Sequence, residues 1–223
     1  MTASALVAAA APSPWIEHLG VTALLILVPF VIIAGTSFAK IALVLGILRS
    51  ALGAPGVPPA SVLTAVSVVL SMFVMAPVAS EISTSLPTAS PAAAAPDPYG
   101  IAEARVLYDA ASPPLVRFME ANTPRSEIDF FLGLAGEPKG AKPSFTTLLA
   151  AFTVNEIAEA FLIGFLVFLP FLVVDLIVAN VLLALGLQAM SPTSVSLPLK
   201  LLLIVSVGGW RVIASGLVVG YGY

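Results

Sequence analysis

The sequence AFLIGFLVFLPFLVVDLIVANVLLALGL, at residues 160–187, carries one formal charge, on Asp175. A run this long and apolar exceeds the roughly 20 residues that cross a ~30 Å hydrocarbon layer as a helix. A helix that begins near residue 153 and rises about 1.5 Å per residue would exceed about 50 Å. Pro170 lacks an amide donor, so we expect a kink near residues 165–169. The stretch therefore predicts a membrane helix that bends or extends beyond the lipid.

The composition of the whole chain is that of a membrane protein. Of its 223 residues, 59% are hydrophobic and 9% are charged, with a mean hydropathy of +1.08. A soluble domain has about half apolar and about a quarter charged residues. The 9 Lys and Arg against 12 Asp and Glu form no basic cluster, so nucleic acid is not an expected partner. With no cysteine and one histidine, thiolate metal sites and cysteine nucleophiles are excluded.

Two helical hairpins are expected on either side of a polar middle. Upstream, spans at about 20–39 and 59–79 are joined by a turn that Lys40, Arg49 and several Gly and Pro residues mark. Downstream, Ser144 is the expected N-cap of the long helix, a Ser- and Pro-rich loop follows at 188–198, and a fourth helix occupies about 198–219. The predicted segments are an N-terminal segment at 1–19, a first hairpin at 20–80, an insertion at 81–143 and a second hairpin at 144–223.

The insertion differs in composition from both hairpins. Residues 86–100 are rich in Pro and Ala, which favours an extended linker. A short helix at 101–111 is expected to stop at Pro113 and Pro114. Lys and Arg in short loops stay on the cytoplasmic side, and Lys40, Arg49 and Lys200 place both hairpin turns there. The fold class is therefore an all-α membrane protein of two long kinked hairpins with a small, mainly helical extracytoplasmic insertion.

Three acidic residues are the strongest candidates for chemistry or assembly. An aspartate within an apolar helix costs about 2.5–3.5 kcal/mol on insertion scales, so Asp175 needs a partner or water. It is either a proton relay or an interhelical contact to Lys200 or Arg211, and we favour the contact. Glu156 and Glu159 share a helix face, where they form an acidic ring in an oligomer or the hydrated end of a helix. A small ion-coupled transporter that uses Asp175 with one of these glutamates is the alternative function.

Enzyme templates are missing from the sequence. There is no G-x-x-x-x-G-K-[ST], no H-E-x-x-H and no G-x-S-x-G, so we expect neither an enzyme nor a cofactor. His18, beside Glu17 at the start of an apolar tract, is more readily an interfacial residue than a catalyst. The loop residues Leu187, Gln188, Ala189 and Met190 either form a plain turn or, in several copies around one axis, an apolar constriction.

Two ordered sets of short motifs resemble a known family. The first set is TSF at 36–38 (Thr36, Ser37 and Phe38), ILRSALG at 47–53 with Arg49, VPP at 57–59, and FVMAP at 73–77 with Met75 and Pro77. The second set is NEI at 155–157, IGF at 163–165, LPFLVVDL at 169–176 with Pro170, SP at 191–192 with Pro192, SLPLKL at 196–201 with Pro198, and GW at 209–210 with Trp210. Together they resemble the SctR/FliP proteins of bacterial type III secretion systems, including the flagellar one, over most of 30–80 and 114–215.

The resemblance implies a non-enzymatic subunit of a protein export apparatus in the bacterial inner membrane. Such subunits form a pentameric, helical ring with S-type and T-type partners around a conduit for unfolded substrates, next to the U-type switch protein and the export gate. Much of that assembly stands on the periplasmic side of the lipid. Gln188 and the lack of an obvious signal peptide favour the injectisome SctR branch, which includes YscR-like and HrcR-like proteins.

Two departures from the family pattern bear on function. The pore-lining loop of the family maps onto Leu187, Gln188 and Ala189, where the methionines of flagellar members are absent and only Met190 lies adjacent. The resemblance therefore implies a looser seal, made by Leu187, Gln188 and Met190. Gly208 stands where the family tends to have an aspartate before Gly-Trp.

Overall fold

The computed structural model describes residues 26, 29–54, 56–86, 101–187 and 189–221, with side chains from residue 105 onward in the third range. The described residues are helical, with no strand among them, which confirms the predicted all-α class. A helical segment at 29–34 precedes the named helices. These are α1 (Phe38–Leu52), α2 (Ala60–Ser85), α3 (Ile101–Ala121), α4 (Arg125–Leu134), α5 (Phe145–Ala184), α6 (Pro192–Ser206) and α7 (Gly209–Val219).

Two helices are long and apolar enough to cross a membrane. They are α2, with 26 residues, and α5, with 40 residues. At about 1.5 Å per residue, α5 is about 60 Å long. The helices α6 and α7 pass the same test as one pair, bent by 60° at the break between them. The described part of the chain therefore contains two candidate spans, or three if the bent pair counts as one.

The first core lies where α1 packs along α5. Its buried residues are Ile41, Val44, Leu45, Leu48, Ala51, Leu52, Leu63, Ala160, Phe171, Ile204 and Leu217. Gly164 of α5 lies against Ile47 of α1, where an added Cβ would lie 2.3 Å from Cδ1 of Ile47. A larger residue at position 164 would require the side chain of Ile47 to move.

The second core joins the polar middle of the chain to the hairpins. Its buried residues come from α2, α3, α4, α5 and the residues after α7, and they are Val74, Val78, Phe118, Met119, Ile128, Leu132, Leu148, Ala151, Phe152 and Tyr221. The ring of Phe118 lies 5.7 Å from that of Phe152 in an edge-to-face arrangement and 5.7 Å from that of Tyr221 in a stacked one. The helices α3 and α4 are thereby fixed against the first part of α5.

The turn of the first hairpin is shorter than expected. We expected it to begin at Lys40, but residues 38–52 are helical, so both Lys40 and Arg49 lie within α1. Lys40 remains in a helix because acidic residues of α5 neutralise its charge. The helix ends at Gly53, which has φ 69° and donates its amide to the carbonyl of Ser50, as is typical of a left-handed cap.

Proline positions account for one further correction. The expected stop at Pro113 and Pro114 is wrong, because α3 continues through both to Ala121. Burial of Phe118 and Met119 beyond them favours continued helix and offsets the lost backbone bonds. Pro170 lies inside α5, and the kink expected near residues 165–169 stays a prediction.

The expected fourth helix is two helices. The first, α6, begins at Pro192, because proline at the first helical position loses no intrahelical bond, and Pro198 lies inside it. Gly208, with φ 60°, interrupts the helix before α7 begins. The predicted cap at Ser144 is confirmed, since its Oγ accepts a hydrogen bond from the amide of Thr147 at 3.2 Å.

Candidate functional site

A buried lysine near the start of α1 meets two acids of α5. Nζ of Lys40 lies 2.7 Å from Oε1 of Glu156 and 2.7 Å from Oε2 of Glu159. The lysine side chain is 3% exposed, Glu156 is fully buried, and Glu159 is 42% exposed. The hydroxyl of Tyr221 donates to Oε2 of Glu156, and the ring of Tyr221 has its centroid 4.2 Å from the lysine nitrogen. These four residues, with Asn155, are called the Lys40 cluster.

Asn155 extends the Lys40 cluster to the end of α3. Its Nδ2 donates to Oε1 of Glu159 at 3.0 Å and to the carbonyl of Asn122 at 3.3 Å. An uncompensated buried charge costs several kcal/mol, whereas opposite charges with further hydrogen bonds offset most of that cost. The cluster therefore holds α1, α5, the α3–α4 connection and the chain after α7 in one arrangement.

A second buried lysine meets the predicted aspartate. Nζ of Lys200, in α6, lies 2.7 Å from Oδ2 of Asp175 and donates to the carbonyl of Ala51 at 2.9 Å. The lysine side chain is 3% exposed and that of Asp175 is 40% exposed. Of the two partners considered from sequence, the structure brings Lys200 to Asp175. The side chain of Arg211 makes no hydrogen bond or ion pair with the described residues.

This Lys200 cluster, comprising Lys200, Asp175 and the Ala51 carbonyl, joins the last turn of α1 to α5 and α6. Carbonyls at a helix C-terminus lack intrahelical partners, and a lysine ammonium satisfies one of them here. The separation of Glu156 and Asp175 along α5 corresponds to about 28 Å, close to the ~30 Å thickness of a hydrocarbon layer. The two clusters therefore fasten opposite ends of α1, which runs parallel to α5.

The predicted constriction residues lie in the connection between α5 and α6. Leu187 is 44% exposed, Met190 is 47% exposed, and Ala189 is also exposed. The amide of Leu187 donates to the carbonyl of Leu182 at 2.9 Å, which closes the end of α5. Gln188 lies outside the described residues. The described loop side chains are thus turned toward the surface of the single chain.

Comparison with known proteins decides the family. The model of the FliP family matches residues 21–217, which includes the Lys200 cluster, the loop and every residue of the Lys40 cluster except Tyr221. The chain belongs to the FliP family. The resemblance that the sequence motifs indicated is confirmed, and membership of this family supports a role in type III or flagellar protein export.

Curated relatives of this FliP-family chain carry secretion names. The hypersensitivity response secretion protein HrcR of Ralstonia nicotianae is 41% identical over 87% of this chain and 92% of its own length. The Yop proteins translocation protein R of Yersinia pestis is 37% identical over 91% of this chain and 94% of its own length. The flagellar biosynthetic protein FliP of Cereibacter sphaeroides is 40% identical over 90% of this chain but 65% of its own length. The near-complete match to HrcR and translocation protein R supports the injectisome branch.

The family-motif residues lie just before α1 and in α1, α2, α5, α6 and α7. Oγ of Ser37 donates to Oγ of Ser71 at 3.1 Å, which ties the start of α1 to α2, and Oγ1 of Thr36 donates to the carbonyl of Ile32 at 2.7 Å. Phe38 begins α1. The remaining motif residues are Arg49 in α1, Met75 and Pro77 in α2, Pro170 in α5, Pro192 and Pro198 in α6, and the 43% exposed Trp210 in α7.

Sequence reasoning singled out Glu156, Glu159, Asp175 and Lys200 but missed Lys40, Asn155 and Tyr221 as their partners. Lys40 and Glu159 are 119 residues apart, so no local pattern links them. A lysine at the end of an apolar tract was the available signal, and it was assigned to a turn. Among the described residues, no group of three or more His, Cys, Asp or Glu side chains could hold a metal ion.

Proposed function

We propose that several copies of this FliP-family chain form, with their partner subunits, the gated conduit through which unfolded proteins leave across the inner membrane. The proposal rests on the surface that the single chain leaves uncovered. In the most apolar 18-residue stretch of α5, only 17% is buried inside the chain. The corresponding share for α2 is 28%. Exposed side chains on α5 include Phe161, Leu162, Phe165, Leu166, Val173, Leu176 and Ile177.

The length of α5 supports the view that other protein chains cover part of its apolar surface. The helical part of the apolar run, at 160–184, carries one charge and spans about 38 Å, against a hydrocarbon layer of ~30 Å. Helices tilt by about 20° on average, which does not absorb this excess. Apolar surface beyond the lipid is stable only against other apolar surface, so neighbouring copies and partner subunits cover it.

The two buried clusters support assembly by holding the hairpins in a fixed relation. Because α1, α5 and α6 are joined inside the chain by charge pairs, their outer faces are presented as one surface. A ring then repeats that surface from copy to copy. By family resemblance, the ring is pentameric, includes S-type and T-type subunits, contacts the U-type protein and the export gate, and stands largely on the periplasmic side. The segment at 81–143 is then the extracytoplasmic part of each copy.

The connection between α5 and α6 is the proposed gate. Its copies meet around the axis, where Leu187, Gln188, Ala189 and Met190 form a narrow apolar constriction. Such a constriction excludes ions by dewetting, and the unbranched thioether of Met190 adapts to a passing chain.

The test is ion leakage through the assembled complex. Replacing both Leu187 and Met190 with serine should hydrate the constriction and raise leakage across cells or liposomes that contain the complete apparatus. The matched control is Leu134→Ser, which changes a 69% exposed leucine in the polar segment and should leave leakage unchanged. If the double variant assembles and leaks no more than the control, the gate assignment is wrong. If the chain is a stable, fully active monomer, the conduit itself is wrong.

A further inference from the structure

A cavity of about 460 Å³ lies between α1 and α2, beside the turn of the first hairpin. Small residues form much of its wall, among them Ala42, Gly46, Gly53 and Ala60, and the buried Leu63 and Ser67 contribute further wall. Gly46, Gly53 and Ala60 are exposed, so the cavity opens to the surface of the chain. Its volume falls within the roughly 300–1,000 Å³ of small-molecule sites.

Arg49 supplies a positive charge to this cavity. Its side chain lines the cavity and is partly buried, and it makes no hydrogen bond or ion pair with the described residues. A guanidinium is always charged and carries five N–H donors. Its position in the last turn of α1 favours a cation because of the helix dipole, but that interaction does not use those donors. The cavity is therefore suited to an anion with oxygen acceptors.

Three hydroxyls in the cavity wall can accept hydrogen bonds from a ligand, whereas Arg49 can only donate them. Oγ of Ser50 donates to the carbonyl of Gly46 at 3.1 Å, Oγ1 of Thr64 to that of Ala60 at 3.0 Å, and Oγ of Ser67 to that of Leu63 at 2.8 Å. Each hydroxyl proton is thus engaged within its own helix, and the oxygens keep lone pairs for a further donor. A ligand that fits both features has an anionic group for Arg49 and hydroxyl groups for these oxygens.

We propose that the cavity binds the headgroup of an anionic phospholipid that carries free hydroxyls, as phosphatidylglycerol does. Arg49 binds the phosphate, and headgroup hydroxyls donate to the oxygens of Ser50 and Thr64. The position fits, because the cavity lies beside the first turns of α2, which is long and apolar enough to cross a membrane, and lipid headgroups are found at the ends of such helices. Basic pockets between membrane helices are recognised sites for such headgroups on the cytoplasmic side.

The test measures lipid retained by the full chain. The protein is purified in mild detergent, phosphatidylglycerol or phosphatidylcholine is added, and bound lipid is counted by native mass spectrometry. Wild-type protein should retain phosphatidylglycerol in preference to phosphatidylcholine. Arg49→Gln should lower apparent affinity for phosphatidylglycerol about tenfold, because it removes a charge-assisted pair of hydrogen bonds. The matched control is Arg211→Gln, which removes an exposed arginine from another apolar helix and should change nothing.

A second variant fills the cavity without changing its charge. Gly46→Leu has room, since an added Cβ would have no atom within 4 Å, and it should also lower phosphatidylglycerol retention. Equal retention in wild type and Arg49→Gln, or equal binding of the two lipids by wild type, would overturn the proposal. If Arg49→Gln instead reduces recovery of neighbouring subunits while lipid retention stays constant, the cavity holds a protein helix and the lipid assignment is wrong.

Discussion

The Lys40 cluster and the Lys200 cluster each neutralise a buried lysine, but they do so in different surroundings. Each buries a lysine that is 3% exposed against a carboxylate of α5. Around Lys40, the acid Glu156 is fully buried and Tyr221 and Asn155 add further hydrogen bonds. Around Lys200, one partner is a backbone carbonyl and the acid is 40% exposed. The Lys40 cluster is enclosed within the chain, whereas the Lys200 cluster reaches its surface through Asp175.

The largest expected effect is that of Lys40→Met. It leaves the fully buried Glu156 without its cation, so the free energy of unfolding should fall by about 3–5 kcal/mol. Unfolding by a denaturing detergent, followed by helical circular dichroism in mild detergent, measures the loss. Lys142→Met, at an exposed loop position, should have almost no effect. A fall no larger than this control would mean that Lys40 does not stabilise the fold.

A smaller loss is expected for Lys200→Met. The variant removes one ion pair and the hydrogen bond to the Ala51 carbonyl, but water can hydrate the half-exposed Asp175, so we expect about 2 kcal/mol. The same unfolding assay applies, with the exposed Lys139→Met as its control. A loss equal to that of Lys40→Met would mean that the enclosed and the surface-reaching cluster stabilise the fold equally.

Tyr221→Phe isolates one bond of the Lys40 cluster. It removes the hydroxyl that donates to Glu156 and keeps the ring stacked on Phe118, so stability should fall by about 1.5 kcal/mol. Tyr108→Phe, at a residue that is 57% exposed, is the control. If the two substitutions have the same effect, the hydroxyl bond does not stabilise the cluster.

The smallest effect is expected for Asp175→Asn. The amide oxygen can still accept from Lys200, so we expect a loss of about 1 kcal/mol, with a reduced yield of the assembled complex and secretion retained. Asp109→Asn, in the polar segment and 62% exposed, provides the comparison. Complete loss of an ion-coupled transport activity, with assembly unchanged, would instead favour the transporter alternative.

Local pattern predicted those features whose cause lies within one segment. The apolar run at 160–187 indicated the long helix, and Ser144 was recognised as its cap, because caps and hydropathy depend on adjacent residues. The helix boundaries predicted from Pro113, Pro114 and Pro198 were wrong, because they depend on residues outside the segment. The helix-breaking tendency of these prolines is local, but contacts with distant helices decide whether the helix continues.

The sequence by itself determined that this is a helical membrane protein of the export apparatus family. Composition, the length of the apolar runs and the order of the motifs do not depend on how the helices pack. The tertiary structure alone decided that Lys40 pairs with Glu156 and Glu159, that Lys200 takes Asp175, and that Arg49 faces a cavity. These contacts join residues far apart in the chain, and their energy depends on burial and distance. Both quantities exist only once α1, α5 and α6 are packed together.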